Sequence, residues 1–293
     1  MAVARTIKHR AAIIAVEELN RSFDNNHICC WNSFVHIQEW AYEAYRQSFT
    51  EKKKIICAET PYMSREYFNA PDNRPDEELY VRVGWGDVST YHPKQFNIKR
   101  QHSPQRFEGI LKKQNRRLSS DWRKTGDHIL FPLQVPCDSS LRGLDIWAAA
   151  QYDLIKLRQN TDRDIILTMH PDTQNREYAK KRFSDSNQHF EKFKEVVAMV
   201  GAEISNVDTH QLLENCWCVV TYSSGVSFDA ILRGIPVITM SNRSFAAPIC
   251  SHYIEEIESP KMVDRISWFS NVAYCEWNIE EIKRGVCREH LLS

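Results

Sequence analysis

From Asp127 to Met240 the sequence alternates apolar runs of strand length with longer segments of helical period, which is the mark of a parallel α/β sheet. The spacing predicts strands at 128–134, 164–169, 217–221 and 236–240. Between them, 144–159 sets Leu144, Trp147, Ala148, Tyr152 and Ile155 at helical spacing. The segment 187–200 ends in an apolar run before Gly201, and 225–233 leads to Gly234 as a helix stop.

The first half is less regular. It offers a helix near 9–20, a strand at 27–31, a helix at 34–48 and a strand at 54–58, again a βαβ order. Residues 60–126 are rich in Pro, Asn, Asp and charge, with Gly84-Trp85-Gly86-Asp87 as a loop, so irregular structure is expected there. The tail, 261–293, reads as two helices that pack back on the first half. Three segments follow: 1–126, 127–260 and 261–293.

The 293 residues, 42% hydrophobic and 26% charged, exclude a disordered chain. No stretch approaches the roughly 20 apolar residues that span a bilayer, and the first residues lack a signal-peptide pattern, so a cytoplasmic location is expected. Nine cysteines lie mostly in apolar runs, as buried thiols do. Cys216-Trp-Cys218 has no second Cys or His pair to complete a zinc site, so no metal is expected. The net charge of zero hides one basic stretch: residues 94–124 hold ten Lys or Arg against two acids. Its Lys99, Arg100, Lys112, Lys113, Arg116 and Arg117 are either a solvated face or a contact for a polyanion.

The most informative run is Thr221-Tyr-Ser223-Ser224-Gly225-Val-Ser-Phe-Asp229-Ala230, followed by Arg233-Gly234-Ile-Pro236-Val237. A Ser/Gly turn between strand and helix is either an anion site made of N–H groups and hydroxyls or an ordinary capped βα turn. His170-Pro171 closes another strand at the edge where ligands sit in open α/β sheets.

The acid-Ala, then Gly-x-Pro-Val spacing resembles GT-B glycosyltransferases, where the acid, here Asp229, meets the donor's ribose. His170-Pro171 and Ser223-Ser224 in successive units resemble capsular-polysaccharide, Kdo-transferase-like enzymes. That resemblance implies donor-phosphate contacts from His170, Ser223, Ser224 and the Gly225 turn. Gln134-Val-Pro-Cys-Asp138 looks like the loop at the mouth of the donor domain in the same group. Phage and prophage relatives of that group are similar in Glu59, in Val83-Gly84-Trp85-Gly86, in Trp122 to His128 and in Ala273-Tyr274-Cys-Glu-Trp277.

The resemblance implies two Rossmann-like halves with a cleft between them, a donor domain at 127–260 and an acceptor side at 1–126. A general base for an inverting, metal-independent transfer would then come from the first half, with no cofactor beyond the nucleotide sugar. Glu59 and Asp87 are the candidates; the alternatives are an ion pair of Glu59 with Arg65 and a turn role for Asp87. The basic stretch and the phage kinship favour DNA with hydroxymethylated pyrimidines as acceptor. The alternative is a glycan or lipid-linked saccharide of capsule or lipopolysaccharide synthesis. An epimerase or a non-catalytic nucleotide-sugar-binding module remains the competing class. The absence of Gly-x-Gly-x-x-Gly and of a P-loop sequence disfavours dinucleotide and P-loop chemistry.

Overall fold

The computed structural model describes residues 10–31, 39–64, 74–136, 138–170, 173 and 187–293. In chain order come α1 (Arg10–Ser22), β1 (His27–Trp31), α2 (Glu39–Glu51), β2 (Lys54–Glu59), β3 (Tyr80–Trp85) and α3 (Gln105–Lys113). Next are β4 (His128–Leu133), α4 (Ile146–Asn160), β5 (Asp164–Met169), α5 (Asn187–Met199), β6 (Glu203–Ser205) and α6 (Thr209–Leu212). β7 (Cys216–Thr221), α7 (Val226–Leu232), β8 (Val237–Thr239), α8 (Ile266–Val272), β9 (Glu276–Asn278), α9 (Ile279–Lys283) and α10 (Val286–Leu292) follow. They form two compact units: Met1–Arg117 with Arg265–Ser293, and Leu118–Asp264.

The Leu118–Asp264 unit is the parallel sheet the alternation predicts, in the order β6-β5-β4-β7-β8. β4 is central and all six of its residues are buried. Asp145 caps α4 by accepting the N–H groups of Trp147 and Ala148. α4 then buries Trp147, Leu154 and Leu157 in a core shared with Phe193 and Val197 of α5 and Ile129 and Phe131 of β4. β4 leads to β5 on one side and β7 to β8 on the other, and the right-handed crossover that parallel units take puts α4 and α7 on opposite faces.

The approach to β4 is tight. A Cβ on Gly126 would lie 2.5 Å from both N and Cα of Trp217, so only glycine fits there. Arg163 locks the same point: its guanidinium donates to the Gly126 carbonyl and lies 4.7 Å from the Trp217 ring. Gly234, at φ 77°, stops α7 as expected.

In the other unit the expected βαβ order holds for β1, α2 and β2, and two further strands extend the sheet. β1 and β2 are parallel, but β3 runs antiparallel to β2 and to β9, in the order β1-β2-β3-β9. The stretch 60–126 is therefore not uniformly irregular. Tyr80–Trp85 is a buried strand that takes in Gly84 and Trp85, and Gln105–Lys113 is a helix burying Phe107, Ile110 and Leu111. The tail is three short helices and a strand rather than two helices. It packs back as expected: Ile279, Ile282, Cys287 and Leu291 join Ala11, Ala12, Ala15 and Leu19 of α1 in one core.

Gly126→Ala should destabilise the Leu118–Asp264 unit by about 1–3 kcal/mol, because backbone atoms must move to admit the methyl. A urea midpoint equal to wild type would refute the close approach. Asp153 supplies a pH-dependent test. Its carboxylate accepts the Tyr222 hydroxyl (2.5 Å), and burial pushes its pKa up against the pull of Tyr222 and Lys156. A raised folded pKa gives stability that is complete below about pH 4, the unfolded value, and lost as pH rises through the folded value. Asp153→Asn should gain stability relative to wild type between about pH 4 and pH 7. A difference constant across that range would refute the assignment.

Candidate functional site

The strand order reverses between β4 and β7, the position where open α/β sheets bind ligands beyond their carboxyl ends. The two strands also part there. Their pairing ends at Leu130 opposite Val219, whereas β4 stays paired with β5 to Leu133 opposite Met169. Pro132, which has no N–H to give a ladder, lies beyond the last β4–β7 pair. A proline in a central strand is thus accommodated where one neighbour has already let go.

Side chains close the gap. Ser223 donates its N–H to Gln134 Oε1 (2.8 Å), and Gln134 Nε2 donates to the hydroxyls of Ser223 (3.1 Å) and Ser140 (3.0 Å). The Ser223 hydroxyl donates to Ser140 Oγ (2.7 Å), and the Ser140 hydroxyl to Asp138 Oδ1 (2.6 Å), which also takes the Ser140 N–H (2.8 Å). The Ser223 hydroxyl also lies within donating distance of Gln134 Oε1 (3.2 Å), and Gln134, Ser140 and Ser223 are buried.

Four expected donor residues therefore stand together or nearly so. Gln134, Asp138 and Ser223 share the network, and half-buried Ser224 follows, with its Oγ accepting the Val226 N–H (3.3 Å). Gly225 begins α7 in helical conformation without a side-chain cap, and α7 has seven residues. His170 comes one step after the Leu133–Met169 pair, at the end of β5, and its carbonyl accepts the N–H (2.9 Å) and hydroxyl (2.5 Å) of Thr173. Pro171 lies outside the described residues, as does Cys137. Asp229, on α7, has His210 Nδ1 at 4.0 Å.

A cleft of about 510 Å³ opens beside the network, a size usual for small-molecule sites. Ser140 and Tyr222 link it to the network; Met240, Asn242, His252 and Tyr253 also line it. Ser140 ends the run that begins at Phe131 and Tyr222 adjoins Ser223, so both lie in segments marked by the sequence, whereas His252 and Tyr253 arrive from a later loop with no local signal.

In the other unit, Glu59 ends β2 and pairs with Arg82 (2.9 Å), with its side chain 22% exposed. Arg65, the partner considered from sequence, lies outside the described residues. Asp87 follows β3, which is antiparallel to β2, so the two carboxylates sit at opposite edges of that sheet. Asp87 accepts the Ser89 N–H (2.9 Å), the bond of a turn residue.

Three arginines of the basic stretch are engaged within their own units. Arg106 is bound to Glu281 and to the carbonyls of Ala273 and Glu276. Arg116 donates to the Met63 carbonyl (2.9 Å), and Arg123 to those of Leu213 and Cys216. Lys99 meets the Ser293 carbonyl and Lys113 that of Glu77, and both are exposed, as are Arg100, Lys112 and Arg117.

Among the described residues no three His, Cys, Asp or Glu side chains group to hold a metal. Cys216 and Cys218 are buried, and burial pushes the Cys216 thiol up to about 12. No helix of the described residues is long and apolar enough to cross a membrane.

No curated protein sequence matches the chain. Two solved structures resemble it in fold, both from Thermosulfurimonas dismutans KpsC. The β-Kdo 2,7 transferase is 14% identical with a TM-score of 0.51, the match covering 94% of this chain and 88% of that one. The β-Kdo 2,4 transferase is 13% identical with a TM-score of 0.52, covering 84% and 78%. The fold is thus of the GT-B type expected from the sequence. The family of capsule polysaccharide biosynthesis proteins matches residues 83–250, more than half of the sequence, and the chain belongs to that family.

Proposed function

We propose that the chain is a glycosyltransferase of capsule-type polysaccharide synthesis. It takes a nucleotide-activated sugar on its Leu118–Asp264 unit and passes the sugar to a hydroxyl of a glycan or lipid-linked saccharide. The observation that carries this reading is the Gln134–Ser223–Ser140–Asp138 network at the strand-order reversal, with the cleft beside it. A closed network fixes Ser223, so the next residues, Ser224 and Gly225, are held in place without reorganisation when a phosphate arrives. His170 at the neighbouring strand end would share the donor's charge, and Asp229 would meet its ribose. The acceptor class rests on family membership.

In this reaction a base takes the proton of the acceptor hydroxyl, and the oxygen bonds to the anomeric carbon. The bond from that carbon to the phosphate oxygen breaks, and the electron pair leaves with the nucleotide. Glu59 is the better supported base, because ligands sit beyond the carboxyl ends of parallel strands, where β1 and β2 end, and Asp87 lies at the other edge. No cofactor beyond the donor enters this reading. DNA is the weaker acceptor, since the family membership speaks for a saccharide.

A panel of nucleotide sugars with either a capsular oligosaccharide or hydroxymethylated DNA, weighed by mass spectrometry, tests the proposal. The oligosaccharide should gain one sugar. Product on DNA alone, or donor binding without transfer or hydrolysis, would refute it. Gln134→Ala should raise the donor KM at least about tenfold, since it leaves the buried Ser223 N–H without a partner and removes the donor that the Ser223 and Ser140 hydroxyls accept from. Glu59→Gln should lower kcat about a hundredfold or more with donor binding unchanged. Activity within about tenfold of wild type would remove Glu59 from the role.

A further inference from the structure

A buried charged row crosses the sheet of the first unit. Glu59, Arg82 and Glu276 are register partners on β2, β3 and β9, so their side chains leave the same face. Arg82 is 2% exposed and Glu276 fully buried. Arg82 pairs with Glu59 (2.9 Å) and lies over the Tyr62 ring at 4.1 Å. Burial opposes its charge, but Glu59, Tyr62 and Glu276 outweigh burial and raise its pKa.

Glu276 does something else as well. Its Oε1 accepts the N–H groups of Tyr62 (2.5 Å) and Met63 (2.9 Å), in the segment that leaves β2 just after Glu59. The same segment is held at Ser64 Oγ by Gln114 Nε2 (2.6 Å) and at the Met63 carbonyl by Arg116 (2.9 Å). Burial pushes the Glu276 carboxyl up, against the pull of the two amides, Arg82 and Ser64. Among the described residues Cys275 and Arg106, the latter paired with Glu281, are further ionisable neighbours.

A buried ionic row is weak evidence for stability, because apolar side chains of similar volume serve a core as well or better. This row ends on the one member that reaches solvent, the carboxylate at the carboxyl edge of β1 and β2. We infer that Arg82 and Glu276 are positioning residues for Glu59: Arg82 fixes its carboxylate, and Glu276 fixes the Tyr62–Ser64 segment beside it. The strand Glu276–Asn278 thereby supplies part of the acceptor-activating end of the sheet. This rests on Glu59 being the base.

Arg82→Lys, Glu276→Ala and Glu276→Gln are compared with Glu59→Gln in the full chain, each first checked for a wild-type circular dichroism spectrum. Arg82→Lys keeps the charge but loses the planar fork, and Glu276→Ala leaves two buried amides unpaired. Each should lower kcat about thirtyfold or more while donor KM stays within about twofold, and Glu276→Gln, which still offers an acceptor oxygen, should recover part of the loss. Should Glu59→Gln abolish transfer while Arg82→Lys and Glu276→Ala stay within about threefold of wild type, the inference falls and the base assignment stands. If Glu59→Gln itself remains active, the base assignment falls and takes the inference with it.

The carbon-13 shift of the Glu59 carboxyl gives a readout without turnover. Its titration should move up by about one pH unit in Arg82→Met, as loss of an adjacent cation requires, and should also move in Glu276→Ala. A titration unmoved by either change overturns the inference.

Discussion

The divergence of β4 from β7 is the constraint on which the second unit turns. Two parallel strands with a reversal of order between them must part somewhere beyond their carboxyl ends, and here they part after Leu130, while β4 remains paired on its other side. Pro132 makes that asymmetry permanent, since it contributes no N–H. One backbone group beyond the ladder, the Ser223 N–H, is taken up by the Gln134 side chain, which serves as a rung between the two chain segments. The hydroxyl chain to Asp138 and the adjacent cleft follow from the same opening.

The part of the fold that was legible in the sequence is the part held by local pattern. His128–Leu133, Asp164–Met169 and Cys216–Thr221 are apolar throughout or nearly so and are bounded by turn residues, and their strands fall within a residue of expectation. Tyr80–Trp85 was hidden because Arg82 and Gly84 interrupt its apolar run, and both are explained only by long-range contacts. Arg82 is buried against Glu59, and Gly84 is a position where a Cβ would come within 2.8 Å of the Gln95 carbonyl oxygen. Glu276–Asn278 was hidden for the same reason. A strand of three residues beginning with a buried glutamate has no periodic signal, and its partner lies almost 200 residues earlier in the chain.

The candidate site divides in the same way. Spacing and resemblance pointed to Gln134 and Asp138 in one loop and to Ser223 in another, and geometry joins the two, Gln134 directly and Asp138 through Ser140. Charge counting does not separate the cations by role. A guanidinium has five donors and a long apolar stem, so Arg106, Arg116 and Arg123 serve as cross-braces to carbonyl oxygens, while Lys99, Arg100, Lys112, Lys113 and Arg117 stand exposed.

The placement of β9 bears on how the protein is made. The Leu118–Asp264 unit is one continuous stretch of chain, whereas the other unit needs its first 117 residues and its last 29 together. On the ribosome the inner unit can therefore close while the outer one still lacks its fourth strand. Until Glu276 emerges, β3 presents an open edge with Arg82 uncovered on one side. A cation at an exposed strand edge discourages pairing with other chains. The residue that is costly to bury in the finished fold thus guards the unfinished one.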